Sequence, residues 1–411
     1  MVFEDDGNAG FGPLVLTRHV STLYWGTKRL LDSLVEKIPD ATDVSLWGRD
    51  ELSAVTRESL KGAFNERVNG PAFFVNARAR PDEGLLALAS RTEPFVALSS
   101  GGVVAARLES EWARPGVVRK KDVARVSKRL QKVATPPEAL FRGYWELVQG
   151  NSLAIAEQAR RFEESLPLPR GVEVRGQASN IIIDSEADVE GHVTLDARLG
   201  PIVIAKGASV ESFSRLMGPC YVGPKAKVYS ALLGGGTSIF DSCKVGGQVE
   251  NSVIMPYTNK AHYGYIGDSY VGSWVNIGAG CTFSNLKNTY GNVRLRIRGK
   301  AVDSGMLKLG PVIGDMAKLS IGAQVYCGRQ VGTGSHVTGL ASEDIPSFAH
   351  CDSTSKKKVE LLLESVVETQ RRMMERRGQT LGRSGESLIR RAFAVTAAER
   401  RGAGVKKGRL S

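Results

Sequence analysis

No two cysteines in this sequence form a CxxC pair. The five, Cys220, Cys243, Cys281, Cys327 and Cys351, are widely scattered. That spacing excludes a disulfide framework and a zinc knuckle and leaves free thiols. Long apolar runs are equally absent. No stretch of about 18 uncharged apolar residues exists, so a membrane span is not expected. The acidic start around Glu4, Asp5 and Asp6 does not resemble a signal peptide. These absences point to a cytoplasmic protein without a membrane partner. The last stretch of the chain lacks interleaved aromatics, which removes base stacking as a mode of binding, so nucleic acid is not an expected partner.

What is present is enough apolar material for a core, 42% of 411 residues, in a length that fits two or three domains. The net charge of +12 is unevenly spread: from Ser353 onward there are fifteen basic and six acidic residues. Such runs are most often solvated helix faces. Residues 1–165 mix short apolar runs (Val44 to Trp47, Phe73 to Val75, Phe95 to Leu98, Val103 to Ala106) with helical segments near 25–38, 50–64 and 138–163. That alternation reads as an α/β layer domain, with Asp50 as an N-cap. SLPLPRG, 165–171, marks its end, because two prolines interrupt a helical pattern.

From about Ile181 an aliphatic residue recurs every sixth position: Ile183, Val189 and Leu195, then Ile204 and Val210, Val222 and Val228, Ile239 and Val245, and later Val271 and Ile277, with Ile313 beyond. A period of six matches neither a helix (3.6) nor a strand (2) but fits a left-handed parallel β-helix over residues 172–352. In that fold each short strand points one aliphatic side chain into a prism, and small residues occupy the corners. Two stretches read as interruptions. MPYTNKAHYGY, 255–265, is one; 283–310 is the other, with NVRLRIRG entering a turn at Gly299 and Lys300. Loops thrown out of a solenoid are where function usually sits. Beyond Asp352 the beat stops: Val359, Leu362, Leu363, Val366 and Met373 share a helical face, Ser387 to Ala398 suggests another helix, and 400–411 reads as disordered. The third segment, 353–411, is thus a basic helical tail.

NKAHYGYIGDSYVGSWVNIGAGCTFSN, 259–285, carries a histidine, a tyrosine three residues on, GD, a VNIGAG coil and an asparagine. In this it resembles the acetyltransferase half of the bifunctional N-acetylglucosamine-1-phosphate uridyltransferase/glucosamine-1-phosphate acetyltransferases. FEDDGNAGFGPLVLTRHVSTLYWGTKRLL, 3–31, YWELV, 144–148, and MERRG, 374–378, resemble a divergent branch of those enzymes with a short sugar-nucleotidyltransferase-like domain. The resemblance implies a homotrimer and acetyl-CoA as co-substrate. It makes His262 the general base, since an ammonium has no lone pair and an imidazole titrates near neutrality. It gives Tyr265, Asn276 and Asn285 the task of orienting acceptor and acyl group, Lys308 that of a sugar-phosphate ligand, and Gly278 and Ala279 that of a bare wall along the CoA arm.

The sequence also departs from the family. A glycine-rich LxxGxGTRM loop is replaced by GNAGFGPLVLTR, leaving Thr17 and Arg18 as its nearest analogues for binding nucleotide phosphates. Asn76, in FFVNAR, stands where the family has a magnesium-holding aspartate, so Mg²⁺ is expected only if this domain is active. The coils preceding the histidine, LLGGGTSIF and VENSVI, lack the family's basic residues. A zinc centre like that of β-helical carbonic anhydrases needs closely spaced histidines; the five here, at 19, 192, 262, 336 and 350, have none, and no metal is expected. The expected function is acetyl-CoA-dependent N-acetylation of an amino-sugar phosphate or nucleotide sugar. One alternative is a sugar-1-phosphate nucleotidyltransferase whose β-helix is a trimerisation or regulatory module. Another is a non-catalytic scaffold with a basic tail.

Overall fold

A computed structural model describes the chain except residues 40, 42, 61, 68–69, 110–115, 120–121, 123–127, 129, 163–166 and 409–411. The boundary read at 165 lies outside the described residues. Two compact units form. One comprises Met1–Leu23, Lys28–Glu146 and Gly382–Arg391; the other comprises Tyr24–Thr27, Leu147–Leu381 and Ala392–Ser411. No helix among the described residues is long and apolar enough to cross a membrane.

The first unit is an α/β layer built on a six-stranded mixed sheet. Its strand order is Leu46–Trp47, Val2–Phe3, Ala72–Asn76, Gly102–Leu108, Phe95–Ser99 and Gln131–Ala134. The first three strands run parallel, and Gly102–Leu108 is antiparallel to both its neighbours. The apolar runs found in the sequence become these strands because alternate residues, Phe3, Trp47, Phe74, Val96, Val103 and Ala106, are buried in one cluster. Asp50 does not cap a helix. It opens a 3₁₀ turn, Asp50–Leu52, and its carboxylate accepts from Asn65 Nδ2 at 2.7 Å.

The second unit is the left-handed parallel β-helix. Its first face stacks eight strands, from Ile181–Ile183 to Gln330–Val331, in parallel register. The register puts Ile183, Ile204, Val222, Ile239, Ile254, Val271, Ile313 and Val331 in one interior column. Val189, Val210, Val228 and Val245 line the second face, and Leu195, Leu216, Leu233 and Val249 the third. Every residue of the six-residue beat is thus an inward-pointing residue of one continuous core. The columns work because each aliphatic side chain fills the space above its counterpart one coil below. Completely burying one such side chain contributes about 1.5–3 kcal/mol.

The interruption read at 255–265 is not one. Asn259–Lys260 is a strand, pairing Lys244 with Asn259 and Val245 with Lys260. Ile254, Lys260 and Ile266 keep the six-residue spacing, so a lysine occupies an aliphatic position and hides the beat. The second interruption is real. Residues between Thr282–Phe283 and Val312–Ile313 leave the coil and form a hairpin of Arg294–Ile297 with Lys300–Asp303. Its turn falls at Arg298 and Gly299, both at positive φ (49° and 78°), the type I′ geometry that two-residue hairpins favour.

In the tail, Leu363–Glu375 is a helix burying Val366, Val367 and Gln370. Val359 does not share its face. It belongs to the strand Lys357–Glu360, antiparallel to Ala349–Asp352. Nor is the described part of 400–411 without structure. Arg400 is buried, with Nε donating to Glu360 Oε2 at 2.6 Å and its guanidinium 4.1 Å from the Phe393 ring centroid.

Candidate active site

Lys260 is the residue the sequence reading missed. It is 1% exposed inside the prism, and a buried ammonium is tolerated only where its donors are met. Two backbone carbonyls meet them: Nζ donates to Gly246 O at 2.8 Å and to His262 O at 2.5 Å. Burial lowers its pKa from the usual lysine value to about 8. The amine therefore ties the bend that carries His262 to the coil below. The unbroken spacing 254–260–266 is the signal that could have found it.

His262 and Tyr263 form the bend between Asn259–Lys260 and Tyr265–Gly267, and both are exposed. That bend is the edge where the second face meets the third. On the second face Asn276 pairs in register with Asn259, whose Nδ2 donates to Asn276 Oδ1 at 3.0 Å. On the third face Tyr265 and Asn285 come together, Asn285 Nδ2 donating to the Tyr265 hydroxyl at 2.9 Å and to Asp268 Oδ2 at 2.6 Å. Asp268 also accepts from Asn251 Nδ2 at 2.7 Å, and the Tyr265 hydroxyl donates to Glu250 Oε2 at 3.4 Å. Gly264 makes the approach possible. Its φ is +127°, and a Cβ there would sit 2.2 Å from Cys281 O. Burial, reinforced by Glu250 and Asp268, pushes the Tyr265 phenol up to about 12. It stays a neutral hydrogen-bonding group at any working pH, not a base. Glu250, from VENSVI, gives this cluster negative charge.

Lys308 is exposed at the neck of the inserted segment, in an antiparallel bridge with Leu286, and Leu309 N donates to Asn285 O at 2.8 Å. Lys308 is therefore carried next to the Asn285 backbone. Gly278 has a purely architectural reason to be small: a Cβ there would meet Ile321 N at 2.7 Å and the Ser320 carbonyl carbon at 2.8 Å on the next coil. Ala279 follows it at the corner, its carbonyl accepting from Gly322 N at 2.8 Å.

In the first unit, Asn76 is fully buried at the end of its strand. Its Nδ2 donates to Asp5 Oδ2 at 2.9 Å and to Val103 O at 2.8 Å, while Oδ1 accepts from Arg78 N at 3.0 Å. Arg78 grips Asp5 in bidentate fashion, Nε to Oδ1 at 2.8 Å and Nη2 to Oδ2 at 2.6 Å. Both oxygens a dication would need are therefore taken, and a guanidinium stands beside them. The group does not fit Mg²⁺, which needs several free hard oxygen ligands. Thr17 and Arg18 follow the turn Asp6–Val15, and Arg18 O accepts from Arg49 Nη2 at 2.7 Å.

One proximity lies outside sequence reach: His336 and His350 are in register on adjacent coils, ring centroids 6.1 Å apart. Burial and the neighbouring Lys318 hold the His336 imidazole down at about 4. Among the described residues no group of three or more metal-ligating side chains is assembled.

Residues 1–165 match the sugar nucleotidyl transferase family. The chain is 35% identical over 98 residues to a bifunctional sugar-1-phosphate nucleotidylyltransferase/acetyltransferase of Sulfurisphaera tokodaii, covering 23% of this chain and 24% of that one. It is 31% identical over 195 residues to the bifunctional protein GlmU of Methanococcus vannielii, covering 45% and 44%. The chain thus spans less than half of either relative. Among solved structures, the polysialic-acid-specific acetyltransferase NeuO matches 51% of this chain and 99% of its own at 10% identity, with a TM-score of 0.30. One of these relatives is named for both a nucleotidylyltransferase and an acetyltransferase activity.

Proposed function

We propose that the β-helical unit transfers an acetyl group from acetyl-CoA to the amine of an amino-sugar phosphate or nucleotide sugar, with His262 as general base. The observation that carries this is the His262 edge, flanked by the Asn259–Asn276 amide pair on one face and the Tyr265–Asn285 pair on the other. The amine attacks the thioester carbonyl while the imidazole takes its proton. The tetrahedral intermediate collapses, and the imidazolium returns the proton to the departing CoA thiolate. Asn276, Tyr265 and Asn285 hold acceptor and acyl group, Lys308 meets acceptor phosphate, and the CoA arm runs past Gly278 and Ala279. An edge exposed in one chain suits a homotrimer in which a second copy closes it. His262→Ala is expected to lower kcat about 10²- to 10⁴-fold. Acetyl-CoA consumption by the full chain over a panel of amino-sugar phosphates is the measurement, and undiminished turnover removes His262 from the mechanism.

For the first unit the reading is weak or absent pyrophosphorylase activity, supported by the engagement of Asn76 and Asp5 with Arg78. Robust pyrophosphate release from a nucleoside triphosphate and a sugar 1-phosphate in Mg²⁺ defeats it. The family match of residues 1–165 favours a second reading, a sugar-1-phosphate nucleotidyltransferase with the β-helix as a trimerisation module. CoA binding by the full chain separates the two, since only the first requires it.

A further inference from the structure

At the far end of the second face from His262, the coil corners carry residues in left-handed backbone conformation. Tyr257 and Trp274 occupy this corner on adjacent coils (φ 65° and 60°). Their rings stack at 4.3 Å with planes 2° apart, forming a flat aromatic wall at the surface of the β-helix. The helix Leu363–Glu375 and the turn after it lie over that wall and enclose a cavity of about 120 Å³. Lys244, Arg376 and Arg377 line it, and Asn259 and Asn276 form the side that leads toward His262.

The charge in this cavity is unbalanced. Lys244 and Arg376 have no ion-pair partner among the described residues, and Arg377 donates its Nη2 to a backbone carbonyl, that of Ser242. Burial, then the nearby charges of Arg377, Lys227 and Arg376, lowers the Lys244 pKa, with no carboxylate acting in the opposite sense. Asp241, on the same corner column, has Lys225 as its compensating charge. Arginines are common in the last turn of a helix, where they answer the negative end of the dipole. That end is worth only about half a charge, whereas three full cations meet here. Like charges gathered around a cavity favour an anion there, and arginine forks match phosphate oxygens bidentately. The cavity also supplies cation where the coil VENSVI offers Glu250.

We propose that this cavity binds the phosphates of a nucleoside-diphosphate group, whose base lies against the Tyr257–Trp274 wall. Lys244 and Arg376 hold the phosphates, Arg377 frames them, and the asparagine pair begins the span to the His262 edge, roughly 10 Å over three residues of extended chain. The inference builds on the acyl-transfer reading for the meaning of that span, but the binding site stands without it. Two sources share this chemistry, the nucleotide end of coenzyme A and a nucleotide-activated sugar.

The test is calorimetric titration of the full chain with inorganic pyrophosphate, UDP and CoA. Pyrophosphate and UDP are expected to bind, uridine not. Lys244→Ala and Arg376→Ala should each weaken UDP binding about tenfold, as expected for one charge-assisted phosphate contact. Lys244→Arg should restore it. Trp274→Leu should weaken UDP but leave pyrophosphate unchanged. CoA displaced by UDP identifies the donor as the source, and CoA bound alongside UDP identifies the acceptor. Unchanged pyrophosphate and UDP affinity in Lys244→Ala and Arg376→Ala, or no binding of either probe to the parent chain, overturns the proposal. His262→Ala should leave all these affinities intact while lowering kcat about 10²- to 10⁴-fold, so loss of the catalytic reading and loss of the site are told apart. Melting curves of each variant check that it folds, and the charge-preserving Lys244→Arg covers any that does not.

Discussion

The polar cluster at the end of the first unit's Ala72–Asn76 strand and the polar groups around the His262 edge use their hydrogen bonds differently. Asp5, Asn76 and Arg78 spend their donors and acceptors on one another and on backbone carbonyls. Around His262 the hydrogen bonds fix the neighbours, Tyr265, Asn285 and Asn276, while the imidazole stays exposed. A cluster that satisfies itself is structural. A cluster that orients residues around an exposed imidazole is the arrangement the proposed acyl transfer requires.

The sharpest way to break that contrast is His262→Ala, with its expected loss of two to four orders of magnitude in kcat and little change in stability, because an exposed ring contributes little packing. Next in size is Arg78→Ala. Removing one partner of a buried pair leaves the Asp5 carboxylate uncompensated and should cost about 3 kcal/mol, read in the denaturant unfolding transition. Unchanged stability there means the cluster is not structural.

Lys260→Met sharpens the comparison, because Lys260 belongs to both categories: buried like Arg78, yet tied to His262. The folded protein holds this amine at a pKa of about 8, while the unfolded chain returns it to the ordinary lysine value near 10.5. Between those values the unfolded chain carries the proton and the folded one does not, so stability from this residue rises with pH across that window and is flat below it. The methionine variant should lack this rise, about 3 kcal/mol, in denaturant titrations compared between pH 7.5 and 10.5. Its kcat should also drop about tenfold as the bend loses its anchor. The smallest effect is expected for Tyr265→Phe, about 1 kcal/mol in stability and a few-fold rise in KM, since the hydroxyl's bond to Asn285 and its long one to Glu250 are lost. A change in its pH–rate profile below pH 9 would contradict a phenol held up near 12.

Much of the β-helix was legible because its rule is local. Ile183, Val189 and Leu195 announce three strands of one coil without reference to any other part of the chain. The same rule failed at 255–265 only because it was read as a rule about aliphatic residues. Lys260 obeys the spacing but not the chemistry, and what makes it tolerable, the carbonyls of Gly246 and His262, is visible only in three dimensions. The tail was misread for a related reason. Arg400 looks like solvated charge in a basic run, yet Glu360, forty residues earlier, pairs with it and Phe393 covers it. His262, Tyr265, Asn276 and Asn285 stood out in the sequence through their motif. That Tyr265 meets Asn285 while Asn276 pairs with Asn259 on a different face did not.

The sequence alone determined the coil: a six-residue repeat fixes which side chains point inward, and this needs only short-range sterics and the burial of aliphatic columns. The tertiary structure decided which polar groups remain available. Partners in a solenoid are one coil apart, a separation that varies with each corner and insertion. Only the folded sheet shows that the carboxylate of Asp5 is spent on Arg78 and Asn76, and only the stacked coils show that the Lys260 amine is held by backbone.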